Sequence, residues 1–288
     1  MTSASAPPAV VGVIGGGRMG AGIAQTFAAA GSTVVVVEHD DAAAAVALDR
    51  IAAGLQRAAE RGGLGELAAR DVPGRVTAVS STAQLPHHAD LVVEAVPEDA
   101  ALKARLLAAA EQAVGERCVL ATNTSSLPVT ELAAALTRPG RFLGMHFFNP
   151  VPVSALVELV LAPETTRETL DAAVGWTHTL GKQEVVVQDS PGFASSRLGL
   201  ALGLEAIRMV EEGVAGPEAI DTAMRLGYRH PMGPLRLTDL VGLDVRLAIA
   251  EHLHATLGER FAPPPLLREK VARGELGRKT GQGFHRWQ

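Results

Sequence analysis

Six residues that follow a short apolar run constrain the fold of this chain more than any other part of its sequence. Residues 9–14 read AVVGVI, which is typical of a short buried strand, and they lead directly into the pattern G-x-G-x-x-G. Glycines in this pattern let the backbone turn tightly, approach a phosphate closely and pack the next helix on the strand. The motif alone is a weak signal, but its position after a strand predicts a nucleotide-binding turn at Gly15, Gly17, Arg18, Met19 and Gly20.

Strand and helix signals alternate through the first part of the chain. Apolar or β-branched segments predict strands at residues 9–14, 33–37, 75–79, 91–95, 118–122, 141–146, 155–161 and 184–187. Between them, helices are predicted at residues 20–30, 42–61, 103–114 and 127–136. This alternation predicts an α/β fold of the Rossmann type, a mostly parallel, doubly wound sheet with helices on both faces.

Strand signals stop at the sequence DSPGF, which begins at Asp189. The remaining residues predict helices at 193–212, 217–226, 237–257 and 265–273. We therefore place a domain boundary near residue 188, between a nucleotide-binding domain (residues 1–188) and an all-helical substrate and dimerisation domain (residues 189–288). A helical domain of roughly a hundred residues is small for an independent core, so we expect it to pair with a second copy in a homodimer.

The composition excludes several classes of protein. The chain has 288 residues, 47% hydrophobic and 20% charged, which indicates a globular protein. Its formal net charge of −5 argues against nucleic acid as a partner. No segment approaches the roughly 18 consecutive apolar residues of a membrane span, and the first residues do not resemble a signal peptide. Cys118 is the single cysteine, so we expect no internal disulfide, a cytoplasmic location and a core role for this thiol.

Acidic residues follow two of the predicted strands. Glu38 ends the segment TVVVVE, where an acid in a dinucleotide-binding fold accepts the ribose hydroxyls of NAD and repels the additional phosphate of NADP. The segment EAVPED places Glu94 at a strand end and Glu98 in the following loop. Both would lie at the carboxyl edge of the sheet, where open α/β folds bind ligands. The sequence therefore predicts NAD as the cofactor.

One histidine and one glutamate stand alone in an apolar stretch, RFLGMHFFNPVPVSALVELVLA. Glu158 interrupts a run that otherwise predicts a buried strand, and a buried carboxylate is costly unless a cation or strong donor meets it. His146 precedes it at the end of a strand-like segment. A glutamate that holds a histidine can form a general base, although the two could also be a satisfied core pair. No cluster of histidine, cysteine and aspartate has metal-ligand spacing, so we predict no metal site.

These motifs make the chain resemble the short-chain L-3-hydroxyacyl-CoA dehydrogenases, which include bacterial 3-hydroxybutyryl-CoA dehydrogenases. The resemblance covers nearly the whole length and rests on VIGGGRMGAGIAQ, DLVVEAVPE, ATNTSSLPVTELA, GMHFFNPVPVSALVELV, DSPGF, HPMGPLRLTDLVGLD and GRKTGQGF. It implies an NAD-dependent oxidoreductase of fatty-acid β-oxidation that oxidises the 3-hydroxyl of a short acyl-CoA.

The resemblance also implies individual roles. His146 would accept the hydroxyl proton, Glu158 would orient His146, and Ser125 of NTSSL would bond the reacting oxygen. From the residues alone, an N-cap for the helix predicted from residue 127 is the favoured role, at least for Ser126. Beyond the glycine turn, the cofactor contacts implied by the resemblance fall on Glu38, Glu98, Lys103, Ser125, Asn149 and Lys279. For Lys103 a solvated helix lysine is the alternative, and for Asn149 a turn role before proline.

One position departs from the family pattern. Where the family reads PGF-x-x-Asn-Arg, this chain has Ser196 before Arg197, so the active-site asparagine is replaced by a shorter side chain that keeps a donor and an acceptor. This leaves the substrate open. A dicarboxylyl thioester such as 3-hydroxyadipyl-CoA would need a spare cation, for which Arg197 is the candidate.

Two further alternatives are a dehydrogenase of a free 3-hydroxy or sugar acid, and an NAD-binding module without catalysis. The CoA-contacting residues are poorly matched to the family. Arg57 and Arg61 could bind a phosphate there, but an exposed charged helix face is the simpler interpretation.

Overall fold

The computed structural model describes residues 6–60 and 72–287 and contains two compact units, Met1–Asp189 and Ser190–Gln288. Each unit has its own cluster of buried apolar side chains. The units divide one residue after the boundary predicted from the sequence. The substrate and dimerisation roles of the second unit stay predictions.

The first unit is built on one eight-stranded sheet with the order β3-β2-β1-β4-β5-β6-β7-β8. The strands are β1 Val10–Ile14, β2 Thr33–Val37, β3 Val76–Val79, β4 Leu91–Glu94, β5 Val119–Thr122, β6 Phe142–Phe147, β7 Leu156–Leu161 and β8 Gln183–Gln188. All neighbours are parallel except β6 and β7, which are antiparallel. The predicted mostly parallel, doubly wound sheet is therefore confirmed.

The sheet reverses its strand order at β1, which pairs with β2 on one side and β4 on the other. The last residue of β1, Ile14, lies opposite Val37 of β2 and Glu94 of β4. The carboxyl ends of these three strands are therefore aligned. In open α/β folds, ligands bind outside the strand ends at such a reversal.

Five described helices belong to the first unit: α1 Arg18–Ala29, α2 Asp41–Glu60, α3 Ala100–Ala113, α4 Val129–Ala133 and α5 Arg167–Thr179. Helix α5 was not predicted from the sequence. Its fully buried residues are Thr169, Ala173 and Thr177, and two of these are polar, although half-buried Leu170 and Val174 also pack on the core. The polar residues weaken the apolar periodicity of this helix. Helix α4 is shorter than predicted because Pro128 occupies its N-cap.

The second unit is helical, as predicted, with α6 Ser195–Glu211, α7 Pro217–Gly227, α8 Pro234–Val241, α9 Leu243–Leu257 and α10 Pro265–Ala272. The single helix predicted over residues 237–257 is wrong. Gly242 has φ of 108° and separates α8 from α9. A right-handed helix cannot continue through that conformation. Across the described ranges, no helix is long and apolar enough to cross a bilayer.

The C-terminal segment after α10 folds back onto Asp239, which lies at 1% exposure in α8. Its carboxylate accepts the backbone N–H groups of Phe284 and His285, both at 2.8 Å, and the indole N–H of Trp287 at 2.9 Å. A Cβ at Gly283 would overlap that carboxylate. The glycine-rich sequence GRKTGQGF is therefore explained by close packing around a buried acid.

Candidate active site

The glycine turn joins β1 to α1 and tolerates no side chain at several positions. Gly15 has φ of 93°, and its N–H donates to the carbonyl of Val37 at 2.8 Å. A Cβ on Gly20 would overlap the carbonyl oxygen of Gly15. The N–H of Gly16 donates to the Glu38 carboxylate at 2.6 Å. The motif is thus required by backbone geometry, and Glu38 supports the turn directly.

The N-terminus of α1 has the features that a dinucleotide pyrophosphate needs. Gly17 forms the N-cap without a side-chain hydrogen bond, and the first turn contains no acidic residue. A Cβ at Gly17 would meet no described atom within 4 Å, so open space lies in front of the turn. Helix N–H groups and the helix dipole favour a phosphate at such a position. Exposed Arg18 and half-buried Met19 continue the turn into the helix. The turn therefore fits a nicotinamide dinucleotide.

Glu38 lies immediately beyond β2 and beside this turn. Its side chain is 16% exposed, and its second carboxylate oxygen lies 3.3 Å from Nδ1 of His39. The carboxylate is therefore at the edge of the sheet where the sequence placed the ribose-binding acid. Its contact with a ribose stays a prediction.

His146 and Glu158 form a buried pair across β6 and β7. The two residues lie opposite each other in the antiparallel register. Nδ1 of His146 lies 2.9 Å from Oε2 of Glu158. His146 is 7% exposed and Glu158 is 1% exposed. An ionised Glu158 accepts a hydrogen bond from the Nδ1–H group of His146. This hydrogen bond favours the tautomer of His146 in which Nε2 carries the lone pair.

Local sequence explains how this pair forms. Directly opposite residues of an antiparallel pair point to the same face, so His146 and Glu158 must meet once β6 and β7 align. The ring of Phe148 packs on the imidazole with 4.4 Å between centroids. Asn149 is exposed in the connection between the strands and is joined to Pro150 by a cis peptide bond. The contact of Asn149 with the cofactor stays a prediction.

The loop after β5 is organised by Glu98. One carboxylate oxygen of Glu98 accepts the hydroxyl of Thr124 at 2.7 Å and the N–H groups of Ser125 at 2.9 Å and Ser126 at 3.1 Å. The hydroxyls of Ser125 and Ser126 lie 3.3 and 3.1 Å from the same oxygen. Neither serine caps α4, so the N-cap alternative is wrong. The hydroxyl of Thr124 instead accepts the N–H of Leu127 at 2.9 Å.

These contacts keep Glu98 ionised. Burial acts to raise the pKa of Glu98, but the Lys103 ammonium and the hydrogen bonds from Thr124, Ser125 and Ser126 outweigh it and hold the pKa below its usual range. Asn123 connects this loop to β6, because its side-chain oxygen accepts the N–H of Phe147 at 2.8 Å. The Ser125 loop is therefore tied to the strand one residue after His146.

Lys103 is not a solvated helix lysine. It projects from α3 and is 0% exposed. Its ammonium lies 2.8 and 3.0 Å from the two carboxylate oxygens of Glu94, and 3.4 Å from the carboxylate of Glu98. From the sequence, Glu94 was predicted only as an acid at a strand end. Its position at the end of the otherwise apolar strand LVVE was the available signal for a buried ion pair.

The remaining predicted site residues lie in the helical unit. Ser196 is the second residue of α6 and is partly buried. Lys279 donates to both oxygens of Asp244 at 2.6 Å. Burial tends to raise the pKa of Asp244, but the Lys279 hydrogen bond and backbone N–H groups lower it overall. The contacts of Ser196 with substrate and of Lys279 with cofactor stay predictions. Arg57 is exposed on α2, and Arg61 lies outside the described residues.

Two protein-family models together match nearly the whole chain. Residues 10–190 match the family described as "3-hydroxyacyl-CoA dehydrogenase, NAD binding domain". Residues 192–287 match "3-hydroxyacyl-CoA dehydrogenase, C-terminal domain". The chain belongs to the 3-hydroxyacyl-CoA dehydrogenase family. The resemblance inferred from the sequence motifs is thereby confirmed.

Individual relatives of this dehydrogenase agree with the family assignment. A probable 3-hydroxybutyryl-CoA dehydrogenase of Bacillus subtilis is 45% identical over 95% of both chains. The mitochondrial hydroxyacyl-coenzyme A dehydrogenase of Sus scrofa is 41% identical, covering 96% of this chain and 90% of its own. The crystal structure of the (S)-3-hydroxybutyryl-CoA dehydrogenase of Ralstonia eutropha superposes with a TM-score of 0.92 at 41% identity, covering 98% and 99% of the two chains.

The dehydrogenase is therefore an NAD-dependent oxidoreductase, as the glycine turn and Glu38 predicted. The N-terminal family match is itself an NAD-binding domain and contains the turn, Glu38, Ser125, His146 and Glu158.

Proposed function

We propose that this dehydrogenase oxidises the 3-hydroxyl of a short-chain L-3-hydroxyacyl-CoA, such as 3-hydroxybutyryl-CoA, with His146 as the general base. The observation that supports this most directly is the 2.9 Å contact between His146 Nδ1 and Glu158 Oε2 in the buried register of β6 and β7. The names of the Bacillus and Ralstonia relatives support the choice of a four-carbon acyl group.

In the proposed reaction, Glu158 accepts a hydrogen bond from the Nδ1–H group of His146, which leaves Nε2 as the base. Nε2 takes the proton of the substrate hydroxyl, and the negative charge of Glu158 stabilises the resulting imidazolium. Bound NAD supplies the hydride acceptor for C3 as the carbonyl forms. Glu98 holds the Ser125 loop through the backbone N–H groups of Ser125 and Ser126 and the hydroxyl of Thr124, and the Ser125 hydroxyl gives up its 3.3 Å contact with Glu98 to donate to the reacting oxygen.

The contacts of Arg197 weaken the dicarboxylyl alternative. Its Nε donates to the carbonyl of Pro191 at 3.0 Å, and its Nη2 donates to the hydroxyl of Ser190 at 2.6 Å. Arg197 therefore holds the loop that precedes α6, and these two donors are not available to a substrate carboxylate beside Ser196. We propose an acyl group without a terminal carboxylate on this basis.

We also propose a cytoplasmic homodimer formed through the helical unit. Three helices that pack on one another expose large apolar side chains at Leu198 and Leu202 of α6, Leu237, Leu240 and Val241 of α8, and Val245 of α9. Large apolar side chains exposed on neighbouring helices are typical of an interface. Sedimentation of the purified protein would detect the dimer, and a monomer at micromolar concentration would refute it.

The proposed chemistry is tested by NADH formation with 3-hydroxybutyryl-CoA, longer 3-hydroxyacyl-CoAs, 3-hydroxyadipyl-CoA and free 3-hydroxybutyrate. We expect the highest kcat/KM with the four-carbon thioester. Activity on the free acid alone would favour the sugar-acid or hydroxy-acid alternative. No NADH from any of them would favour the non-catalytic NAD-binding module.

His146→Ala tests the role of the base, with His178→Ala as a matched control. His178 also contacts a glutamate, Glu184, at 2.6 Å, but its side chain is 57% exposed. We expect His146→Ala to lower kcat by about 10²–10⁴-fold with NAD binding retained, and His178→Ala to leave kcat unchanged. A His146→Ala enzyme within a few-fold of the wild type would refute the assignment.

A further inference from the structure

A buried carboxylate lies behind the Ser125 loop and has no role in the proposed reaction. Glu94 is the last residue of β4 and is 0% exposed. Its carboxylate accepts the hydroxyl of Thr122 at 2.7 Å and the N–H of Val96 at 2.6 Å. Both of its oxygens also bind the Lys103 ammonium. Glu94 is thus fully surrounded by donors at the carboxyl edge of the sheet.

The three donors of the Lys103 ammonium are all accounted for. They face Glu94 Oε1 at 2.8 Å, Glu94 Oε2 at 3.0 Å and the carbonyl of Val96 at 3.1 Å. An ammonium group has three N–H bonds and no acceptor. Glu98, at 3.4 Å, therefore receives the charge of Lys103 without a hydrogen bond from it.

This arrangement leaves the Glu98 carboxylate to bind the Ser125 loop. Because Glu94 takes the hydrogen bonds of Lys103, the carboxylate of Glu98 remains available to Thr124, Ser125 and Ser126. Without the charge of Glu94, Glu98 would be the one carboxylate left beside a buried ammonium. The strong attraction of a buried pair would then draw Glu98 toward Lys103 and away from the loop.

We propose that Glu94 is a positioning residue of this dehydrogenase, which retains the Lys103 ammonium so that Glu98 can hold the Ser125 loop in place and keep the Ser125 hydroxyl within reach of the substrate. The inference rests on the proposed role of Ser125 in the reaction. It is based on the hydrogen bonds from Lys103 to Glu94, the 3.4 Å charge contact between Lys103 and Glu98, and the hydrogen bonds from Ser125 to Glu98.

A double-mutant cycle of Glu94→Gln and Ser125→Ala tests the inference through kcat with 3-hydroxybutyryl-CoA. If Glu94 acts through Ser125, each single variant lowers kcat, Glu94→Gln by on the order of 10-fold, and the double variant is no slower than Ser125→Ala. A purely structural role for Glu94 predicts instead that the double variant loses kcat by the product of the two single-variant factors. Multiplying losses would overturn the inference.

Glu111 provides the matched control, a second buried carboxylate, on α3, the helix that carries Lys103. It is 3% exposed and accepts the N–H and hydroxyl of Thr137 and the N–H of Arg138, each at 2.8 Å. Glu111→Gln should lower the unfolding midpoint but leave kcat unchanged, alone or combined with Ser125→Ala. If it changed kcat as much as Glu94→Gln does, a positioning role specific to Glu94 would be refuted.

Thr122→Val keeps the inference testable if Glu94→Gln does not fold. It removes the hydroxyl that donates to Glu94 Oε2 while the side-chain shape is kept. Thr122→Val should lower kcat by a smaller factor than Glu94→Gln, and it should not lower kcat further in the Ser125→Ala background. A further loss of kcat in that background would overturn the inference. The His146→Ala experiment separates the two proposals, because an active His146→Ala enzyme refutes the general base and leaves the cycle informative about Glu94.

Discussion

His146 and Glu158 face each other across the antiparallel pair β6–β7, with 2.9 Å between Nδ1 and Oε2. Glu158→Gln should keep the fold and NAD binding but lower kcat by about 10²–10⁴-fold, because an amide can present its NH₂ group and favour the wrong histidine tautomer. Steady-state rates combined with a fluorescence titration of NADH would measure both effects. A kcat within a few-fold of the wild type would show that Glu158 does not orient His146.

Glu38 should set the choice between NAD and NADP. Glu38→Gln removes the negative charge but keeps an acceptor for the Gly16 N–H, which is bound at 2.6 Å. We expect the NADP-to-NAD ratio of kcat/KM to rise by about 10-fold, equivalent to roughly 1.4 kcal/mol, because the 2′-phosphate is no longer repelled. Glu38→Ala should add a loss of thermal stability, since the turn loses its acceptor. An unchanged ratio in Glu38→Gln would assign cofactor selectivity to other residues.

Glu111 should contribute to stability in a pH-dependent way. Burial tends to raise the pKa of Glu111, but hydrogen bonds from Thr137 and Arg138 outweigh it and hold the pKa below its usual range. A carboxyl with a lowered folded-state pKa contributes stability above its unfolded pKa of about 4.3 and loses it as the pH falls through the folded value. Wild type should therefore exceed Glu111→Gln in unfolding free energy at pH 7, with a gap that narrows below about pH 4. Urea unfolding at pH 7, 5, 4 and 3 measures this gap, and a constant gap would contradict the assignment.

Arg246 should be a destabilising residue of the helical unit. It is 6% exposed on α9, and its Nε has no hydrogen-bond partner in the described part of the chain. Burial lowers the pKa of Arg246 to about 10. Arg246→Met should raise the free energy of unfolding by about 1 kcal/mol or more, because it removes a buried charge and keeps an apolar side chain of similar length.

Arg208→Met is the control for this prediction. Arg208 is in the same unit, and its guanidinium donates to the carbonyl of Ala262 at 3.0 Å. This variant should lower the free energy of unfolding. If Arg246→Met is also less stable than the wild type, Arg246 has a compensating partner in the native assembly.

Much of the fold could be predicted because its signals are local. Each strand of the sheet is a short apolar run, and the run at Thr33–Val37 is β-branched throughout. The glycine turn is equally local, because a Cβ on Gly20 would overlap the carbonyl of Gly15, five residues earlier. His146 and Glu158 were visible as two polar residues in one apolar stretch. Helix α5 was missed because its buried stripe is mainly threonine.

The break at Gly242 shows what local patterns do not contain. Residues 237–257 have the periodicity of one helix, but a positive φ at Gly242 separates α8 from α9. A Cβ at Gly242 would also lie 3.0 Å from the carboxylate of Asp244, so both the backbone conformation and the space at this position favour glycine. Ser125 and Ser126 show the same limit, because their sequence fits a helix cap while their hydroxyls face Glu98.

The sequence by itself determined the Rossmann-type order of strands and helices, the glycine turn and the isolation of His146 and Glu158 among apolar residues. These follow from periodicity and from steric rules that act over a few residues. Only the tertiary structure decided that Glu94 binds Lys103, that Glu98 holds the Ser125 loop, and that β7 runs antiparallel to β6. Those features depend on which strand ends, helices and loops meet at one edge of the sheet, and periodicity along the sequence does not specify that.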